Sequence, residues 1–87
     1  MSRLAYFILS ILAKEDATNS RNALSVQEIF DTDDFGERYG YKYGTIYKKI
    51  AEFEKKGYVA SGFKDGKAHT YYITRLGQIV LNEAKAG

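Results

Sequence analysis

Residues 43 to 57 contain lysines at positions that would lie together on the outer face of a helix. The apolar residues Ile46, Ile50 and Phe53 follow one another at steps of four and three, the period of a helix that buries one side. The opposite side would then carry four lysines: Lys48, Lys49, Lys55 and Lys56. Such a face suits the phosphates of a nucleic acid, although a merely solvated lysine-rich helix has the same pattern.

A second pair of lysines flanks a predicted turn further along the chain. Residues 58 to 64 and 68 to 73 are rich in β-branched and aromatic residues, and Asp65-Gly66 between them favours a tight hairpin. Lys64 and Lys67 would then lie at the tip of this hairpin. The sequence thus predicts a basic helix followed at once by a basic hairpin.

Charge is divided unevenly along the chain. The net charge is only +2, but residues 1 to 37 contain three basic and seven acidic residues, whereas residues 38 to 75 contain nine basic and three acidic residues. The positive part is the part that contains the lysine helix and the hairpin. This separation favours a polyanionic partner, and we take double-stranded DNA as that partner.

The other elements must hold these two basic segments in place. A chain of 87 residues allows one domain. Its start, residues 4 to 12, has the apolar content of a buried first helix, and Ser25 with Glu28 forms a capping box at the start of a second helix. Residues 14 to 22 read as a surface loop, and residues 23 and 24 as a very short strand.

The basic helix is predicted over about residues 44 to 57, with Thr45 as its N-cap and Gly57 ending it in a left-handed turn. The hairpin spans about residues 58 to 73. Thr74 caps a last helix over about residues 75 to 85. The predicted fold class is mainly α with a small β-hairpin, α+β, in a single domain over residues 1 to 87.

Several other kinds of site fail on residue type or spacing. The chain has no cysteine, so disulfides and thiolate metal sites are excluded, and its one histidine, His69, cannot by itself build a zinc site. The acidic run from Asp31 has Phe35 at the fifth position of a calcium loop, so it is predicted to be a solvated turn. The sequence offers no set of residues that could serve as nucleophile, base and orienting group of one site, so we expect neither enzymatic activity nor a cofactor.

Three helices, a two-stranded wing and a C-terminal helix follow one another in the order of a winged helix-turn-helix. In detail the chain resembles the PadR family of bacterial transcriptional regulators over roughly residues 44 to 78. The residues that carry the resemblance are Gly44-Thr45-Ile46-Tyr47, Ile50, Phe53-Glu54, Gly57-Tyr58-Val59, Tyr71-Tyr72-Ile73-Thr74 and Gly77.

The resemblance implies a cytoplasmic repressor that binds a palindromic operator as a dimer. It places DNA contacts at the start of the recognition helix and at the wing tip. With the neighbouring lysines and tyrosine added for their chemistry, the predicted DNA-binding residues are Lys42, Tyr43, Thr45, Tyr47, Lys48, Lys49, Lys64, Gly66 and Lys67.

The chain also departs from the family pattern. Lys48 stands where these proteins often have proline, and residues 14 to 24 lack the usual glycine-tyrosine motif. The long C-terminal dimerisation helix is missing too, so a smaller homodimer interface is predicted from apolar residues of the first and last helices: Tyr6, Phe7, Ile79, Val80 and Leu81.

Two further possibilities remain open at this point. Related regulators bind aromatic ligands at the dimer interface, so a small-molecule effector is compatible with the resemblance, and nothing in the sequence identifies one. The alternative to a DNA-binding regulator is a winged-helix protein-interaction module in a larger assembly, which would bind DNA only weakly and without sequence preference. The ten-residue apolar run that begins at Leu4 is too short to span a membrane, so no membrane partner is expected.

Overall fold

The computed structural model describes all residues, 1 to 87, and contains five α-helices and a three-stranded sheet. The helices are α1 (Arg3–Lys14), α2 (Val26–Asp31), α3 (Phe35–Arg38), α4 (Tyr43–Lys56) and α5 (Arg75–Ala86). The strands are β1 (Leu24–Ser25), β2 (Val59–Ser61) and β3 (Thr70–Ile73). This order confirms the predicted fold class, and the single turn of α3 is an addition to it. None of the helices is long and apolar enough to cross a membrane.

The sheet has the order β1-β3-β2, and both pairings are antiparallel. Strand β3 lies in the centre, with Leu24 opposite Tyr71 on one side and Val59 opposite Ile73 on the other. Strands β2 and β3 are the legs of the predicted hairpin. The wing beyond them spans residues 62 to 69.

At the wing tip, the backbones of Asp65 and Ala68 exchange hydrogen bonds of 3.1 and 3.0 Å. The loop they close consists of Gly66 and Lys67, one position later than the predicted Asp65-Gly66 turn. Gly66 has φ +63°, and a positive φ at the first loop position is where two-residue hairpins favour glycine.

One apolar core holds these elements together. Five of its residues come from α1, and α4 contributes the predicted stripe of Ile46, Ile50 and Phe53, all of which are buried. Burying a side chain of this size contributes roughly 1.5 to 3 kcal/mol. Because this stripe faces the core, the opposite side of α4 is turned to solvent.

The start of α5 is joined to the end of α4 by a cluster of polar contacts. Thr74 Oγ1 accepts a hydrogen bond from the Gly77 amide at 3.1 Å, so the predicted cap is confirmed. The same hydroxyl lies 2.5 Å from the carbonyl oxygen of Gly57, which ends α4 with φ +79° as predicted. The Thr74 amide donates to the carbonyl of Tyr58 at 3.0 Å. These bonds fix the hairpin relative to α4.

Local signals also place the start of α2. The Ser25 amide donates to Glu28 Oε1 at 2.9 Å, and the Glu28 amide donates to Ser25 Oγ at 3.1 Å. The predicted capping box is therefore confirmed. The predicted short strand is present as well, shifted by one residue to Leu24–Ser25.

The predicted N-cap of α4 is wrong. The helix begins two residues before Thr45, at Tyr43, and Lys42 occupies the cap position with an extended backbone at φ −84° and ψ 151°. No side chain caps it. Thr45 lies in the first turn of the helix, where its amide already bonds to the carbonyl of Lys42 at 3.0 Å.

The acidic segment after α2 is also more ordered than predicted. Residues 32 to 34 form a 3-10 turn in which Asp33 and Asp34 adopt left-handed backbone angles, and α3 follows it. Phe35 is buried, with its ring 5.8 Å from Phe7 and 5.5 Å from Tyr41. The one aromatic residue of an acid-rich stretch thus anchors it to the core, and the solvated-turn prediction holds only for the aspartates.

Leu81 is not available for a subunit interface. It is fully buried, at 0% exposure, among the core residues of its own chain. Ile79, two residues earlier, is 47% exposed, and Val80 is partly buried. Residues 79 to 81 therefore point in three directions, and only one of them faces away from the core.

Candidate nucleic-acid interface

The outer face of α4 is a surface of unpaired lysines. Gly44, Lys48 and Lys55 lie opposite the buried stripe of the helix, and all three are exposed. The ion pairs of the structure involve neither Lys48 nor Lys55. Both ammonium groups are therefore free to contact phosphate.

One side of α4 faces the wing. Tyr43 and Tyr47, one helical turn apart, are 47% and 49% exposed and border a cleft of about 250 Å³. The same cleft is lined by Lys67 and His69 of the wing and by Gln27 of α2. The start of α4 and the tip of the wing therefore open onto the same side of the molecule.

The wing tip is exposed along its whole length. Lys64, Gly66 and Lys67 are solvent-accessible, and neither lysine has an ion-pair partner. Phe63, which the sequence reasoning did not select, is 68% exposed beside Lys64. The sequence offered one sign of an exposed Phe63, its position next to Lys64 in a predicted hairpin strand, but an aromatic residue there is equally typical of a packed side chain.

The base of the wing is tied to the loop after α1. The Phe63 amide donates to the carbonyl of Ser20 at 3.0 Å, and Thr70 Oγ1 donates to the carbonyl of Phe63 at 2.5 Å. Gly62 lies against this loop so closely that a Cβ atom there would be 2.8 Å from the Ser20 oxygen. These contacts fix the direction in which the wing leaves the sheet.

The remaining lysines of α4 lie on its other side and are paired. Glu52 accepts a hydrogen bond from Lys49 Nζ at 2.9 Å, and Lys56 Nζ lies 3.2 Å from its second oxygen. Hydrogen bonds from Lys49 and Lys56 hold the pKa of the Glu52 carboxyl below its usual value of 4.5. This side of α4 borders a cavity of about 380 Å³ near the start of α1. The structure therefore places Lys49 on the side of α4 away from Tyr43, Tyr47 and Lys67, one helical turn after Thr45.

The segment that leads into α4 contains two tyrosines whose rings pack against other aromatic rings. Tyr39 lies 4.8 Å from Phe7 between ring centroids, and the guanidinium carbon of Arg3 lies 5.6 Å from the Tyr39 ring centroid. Tyr41 packs against Phe35. Lys42, next in sequence, is exposed and unpaired at the start of α4. Packing against neighbouring rings thus accounts for the positions of Tyr39 and Tyr41.

Tyr71 belongs to β3 and lies next to the tyrosine side of α4. Burial raises the pKa of its phenol above the usual 10.0, and the nearby Glu54 carboxylate raises it further. Glu54 accepts a hydrogen bond from Ser61 Oγ at 2.7 Å. Like any tyrosine phenol, that of Tyr71 is protonated at neutral pH, and it lines the cleft as a hydrogen-bond donor.

The residues predicted for a dimer interface are scattered by the fold. Phe7 packs on Tyr39 within its own chain, and Tyr6 is partly buried. Ile79 is the exposed member of the set. Leu76, one turn earlier on α5, is 46% exposed and was missed, because the sequence pattern placed it with the apolar residues that a last helix would bury.

No protein-family model matches this chain, and a search of curated proteins finds none that matches. Solved structures do match. TubR from Bacillus megaterium pBM400 has a TM-score of 0.74 at 18% identity, with 100% of this chain and 89% of TubR aligned. RosR from H. salinarum also gives 0.74, at 20% identity over 99% of this chain and 72% of RosR.

A third match is the PcaV transcriptional regulator from Streptomyces coelicolor, solved in complex with its natural ligand. It has a TM-score of 0.70 at 20% identity, with 94% of this chain aligned to 51% of PcaV. This chain therefore spans about half the length of PcaV. At these identities the likeness concerns the fold, and it shows that the chain has the winged-helix fold.

Proposed function

We propose that this chain is a transcriptional regulator that binds double-stranded DNA at a specific site. In this proposal α4 enters the major groove, whose width admits a helix, and the wing contacts the adjacent backbone or minor groove. The observation that carries the proposal is the shared cleft. Because Tyr43 and Tyr47 of α4 and Lys67 of the wing border it, both basic elements can meet one duplex.

The affinity is set mainly by charge. Five lysines on α4, its approach and the wing are exposed and unpaired: Lys42, Lys48, Lys55, Lys64 and Lys67. If four to six phosphates are neutralised per protomer, the logarithm of affinity falls with the logarithm of salt concentration with a slope of roughly four to five.

Direct reading of bases is modest in this proposal. Residues 43 to 57 contain no arginine or asparagine, which make the usual bidentate contacts to guanine and adenine. Thr45 is exposed in the first turn of α4 and can contact a base edge or a thymine methyl group. Tyr43 and Tyr47 supply hydroxyl groups on the side of α4 that faces the wing.

We further propose that the chain acts as a dimeric, PadR-like repressor on a palindromic operator in the cytoplasm. PcaV, which shares the fold, is a transcriptional regulator, and this supports a regulatory role. Leu76 and Ile79 supply an exposed apolar surface on α5, which supports contact with a second copy. Repeated half-sites in the bound DNA would reflect the symmetry of such a dimer.

The test is selection of bound fragments from a random DNA pool at near-physiological salt. The parent protein is compared with Lys48→Glu, Lys67→Glu and a matched charge reversal on the last turn of α5, Lys85→Glu. We expect the parent and the Lys85 variant to recover the same palindromic consensus and the other two variants to lose it.

Recovery of no consensus, with all four proteins binding DNA equally weakly, would overturn the proposal. That outcome would favour the protein-interaction module instead. A consensus without repeated half-sites would leave DNA recognition intact and remove the dimer from the proposal.

A further inference from the structure

Glu52 holds two of the four lysines of α4 with a single carboxylate. It lies three residues after Lys49 and four before Lys56, so both ammonium groups reach it along the helix surface. One lysine contacts each oxygen, at 2.9 and 3.2 Å. Lys56 Nζ also lies 6.0 Å from the ring centroid of Tyr58.

The second carboxylate of α4, Glu54, neutralises no lysine. Glu54 accepts a hydrogen bond from Ser61 Oγ at 2.7 Å and pairs with no lysine. It lies on the wing side of α4, whereas Glu52 lies toward the start of α1. Two acidic residues of one helix therefore differ in whether they neutralise a cation.

We infer that Glu52 determines the selectivity of DNA binding by keeping Lys49 and Lys56 from contacting phosphates at unselected sequences. The inference rests on the proposed function. It gives Glu52 a role that needs no contact with a base: the carboxylate lowers the number of cations that the protein offers to any duplex.

The physical reason lies in the difference between the two modes of binding. Binding to unselected DNA is almost wholly electrostatic, and the protein can approach the backbone in many orientations, so every free ammonium group adds to it. At the specific site, α4 is fixed with Lys48 and Lys55 toward the duplex. Lys49 and Lys56, on the side toward α1, are less able to reach phosphate there. Freeing them therefore strengthens unselected binding more than specific binding.

The size of the effect follows from counterion release. Each added phosphate contact steepens the salt slope by about 0.9. Replacing Glu52 by glutamine should thus steepen the slope on unselected DNA by between about one and two. At about 0.1 M salt the affinity for that DNA should rise on the order of tenfold.

The experiment measures the binding of full-length protein to two duplexes over a range of salt concentrations. One duplex carries the site recovered by selection, and the other is a scrambled duplex of the same length and composition. The proteins are the parent, Glu52→Gln, the matched control Glu54→Gln and the triple variant in which Glu52, Lys49 and Lys56 are all glutamine. Circular dichroism checks that each protein is folded.

We expect Glu52→Gln to bind the scrambled duplex on the order of tenfold more tightly and to discriminate less between the duplexes. Glu54→Gln, with the same change of net charge, should give a smaller gain, and the triple variant should return to the parent slope. Equal gains in Glu52→Gln and Glu54→Gln, or a triple variant as steep as Glu52→Gln, would overturn the inference. Failure of the parent to prefer any sequence would overturn the proposed function instead.

Discussion

The hairpin is held in opposite ways at its base, which is strand β3, and at its tip, which is residues 63 to 69. At the base, Tyr71 and Ile73 are buried and Thr70 is hydrogen-bonded to the backbone of Phe63. At the tip, residues 63 to 69 are all exposed. If DNA binds as proposed, stability depends on the base of the hairpin and binding on its tip, so substitutions should affect one without the other.

Helix α4 repeats this division across its width instead of along its length. Ile46, Ile50 and Phe53 belong to the core, whereas Lys48 and Lys55 on the opposite side touch nothing in the chain that neutralises them. Because the apolar side of the helix packs into the core, the side that carries Lys48 and Lys55 is held toward solvent. If the division is real, changes at the base should appear in the free energy of unfolding, and changes at the tip should appear in DNA affinity.

The largest expected effect is at the junction between the end of α4 and the start of α5, where Gly57 and Tyr58 contact Thr74 and Gly77. Alanine at Gly77 would place a Cβ atom 2.2 Å from the carbonyl oxygen of Tyr58 and 2.7 Å from Ile73 Cγ1. Backbone must move to admit it, so we expect the free energy of unfolding to fall by about 2 to 3 kcal/mol. Urea denaturation followed by circular dichroism measures this.

Gly44→Ala is the matched control for that change. Gly44 also lies in a helix, but a Cβ atom there meets nothing within 4 Å. Alanine should therefore stabilise the protein by about 0.5 to 1 kcal/mol through helix propensity. Equal destabilisation by both changes would contradict the role assigned to the junction.

The next largest effect concerns the hydroxyl at the start of α5. Thr74→Ala removes the cap on the Gly77 amide and the contacts with Gly57 and Tyr58, and it should cost about 1 to 2 kcal/mol of unfolding free energy. Thr74→Ser should restore most of the loss. Thr45→Ala, which removes a threonine that caps nothing, should change stability by less than about 0.5 kcal/mol. A larger loss at Thr45 than at Thr74 would reverse this assignment.

Thr74 and Thr45 show where sequence reasoning succeeded and where it failed. Caps and turns are local, so the capping box at Ser25, the cap at Thr74 and the left-handed end at Gly57 could all be predicted from a few neighbouring residues. The prediction at Thr45 failed because α4 begins at Tyr43 with Lys42 at the cap position. Lysine is not a capping residue, so the sequence gives no signal for a helix start there.

Two other errors, at Phe35 and Leu81, have a different cause, which is tertiary contact. Phe35 follows a run of aspartates, and the rings of Phe7, Tyr39 and Tyr41 draw it into the core. Leu81 could not be distinguished from Ile79 by composition, because the rotation of α5 against α1 decides which of them is buried. The pairing of Glu52 with two lysines was readable from its spacing of three and four, but the four lysines were treated as equivalent.

At the wing tip the comparison predicts a binding effect without a stability effect. Lys67→Glu should weaken DNA binding on the order of tenfold at moderate salt and reduce the salt slope by about one. Because Lys67 is exposed and unpaired, the free energy of unfolding should change by no more than about 0.5 kcal/mol. Fluorescence anisotropy with a labelled duplex and urea denaturation test the two halves of this prediction. A loss of unfolding free energy as large as that of Thr74→Ala would contradict the separation of binding at the tip from stability at the base.

The smallest effect is a pH dependence at the buried end of β3. Burial raises the pKa of Tyr71 above the usual 10.0, so the folded state holds this proton more tightly than the unfolded state does. The resulting stability is complete below about pH 10 and is lost as pH rises through the folded-state pKa. As the pH rises above about 10, the parent should therefore lose unfolding free energy relative to Tyr71→Phe, which has no phenol to ionise. A difference that is constant with pH would contradict the burial of the phenol.

The most direct measurement is amide chemical-shift mapping of the protein titrated with a short duplex at low salt. We predict that the largest shifts fall on residues 42 to 48 and 63 to 69, the start of α4 and the wing tip, and that they disappear together as salt is raised. Shifts confined to α1 and α5, or present on α4 and absent from the wing, would contradict a shared DNA-binding face.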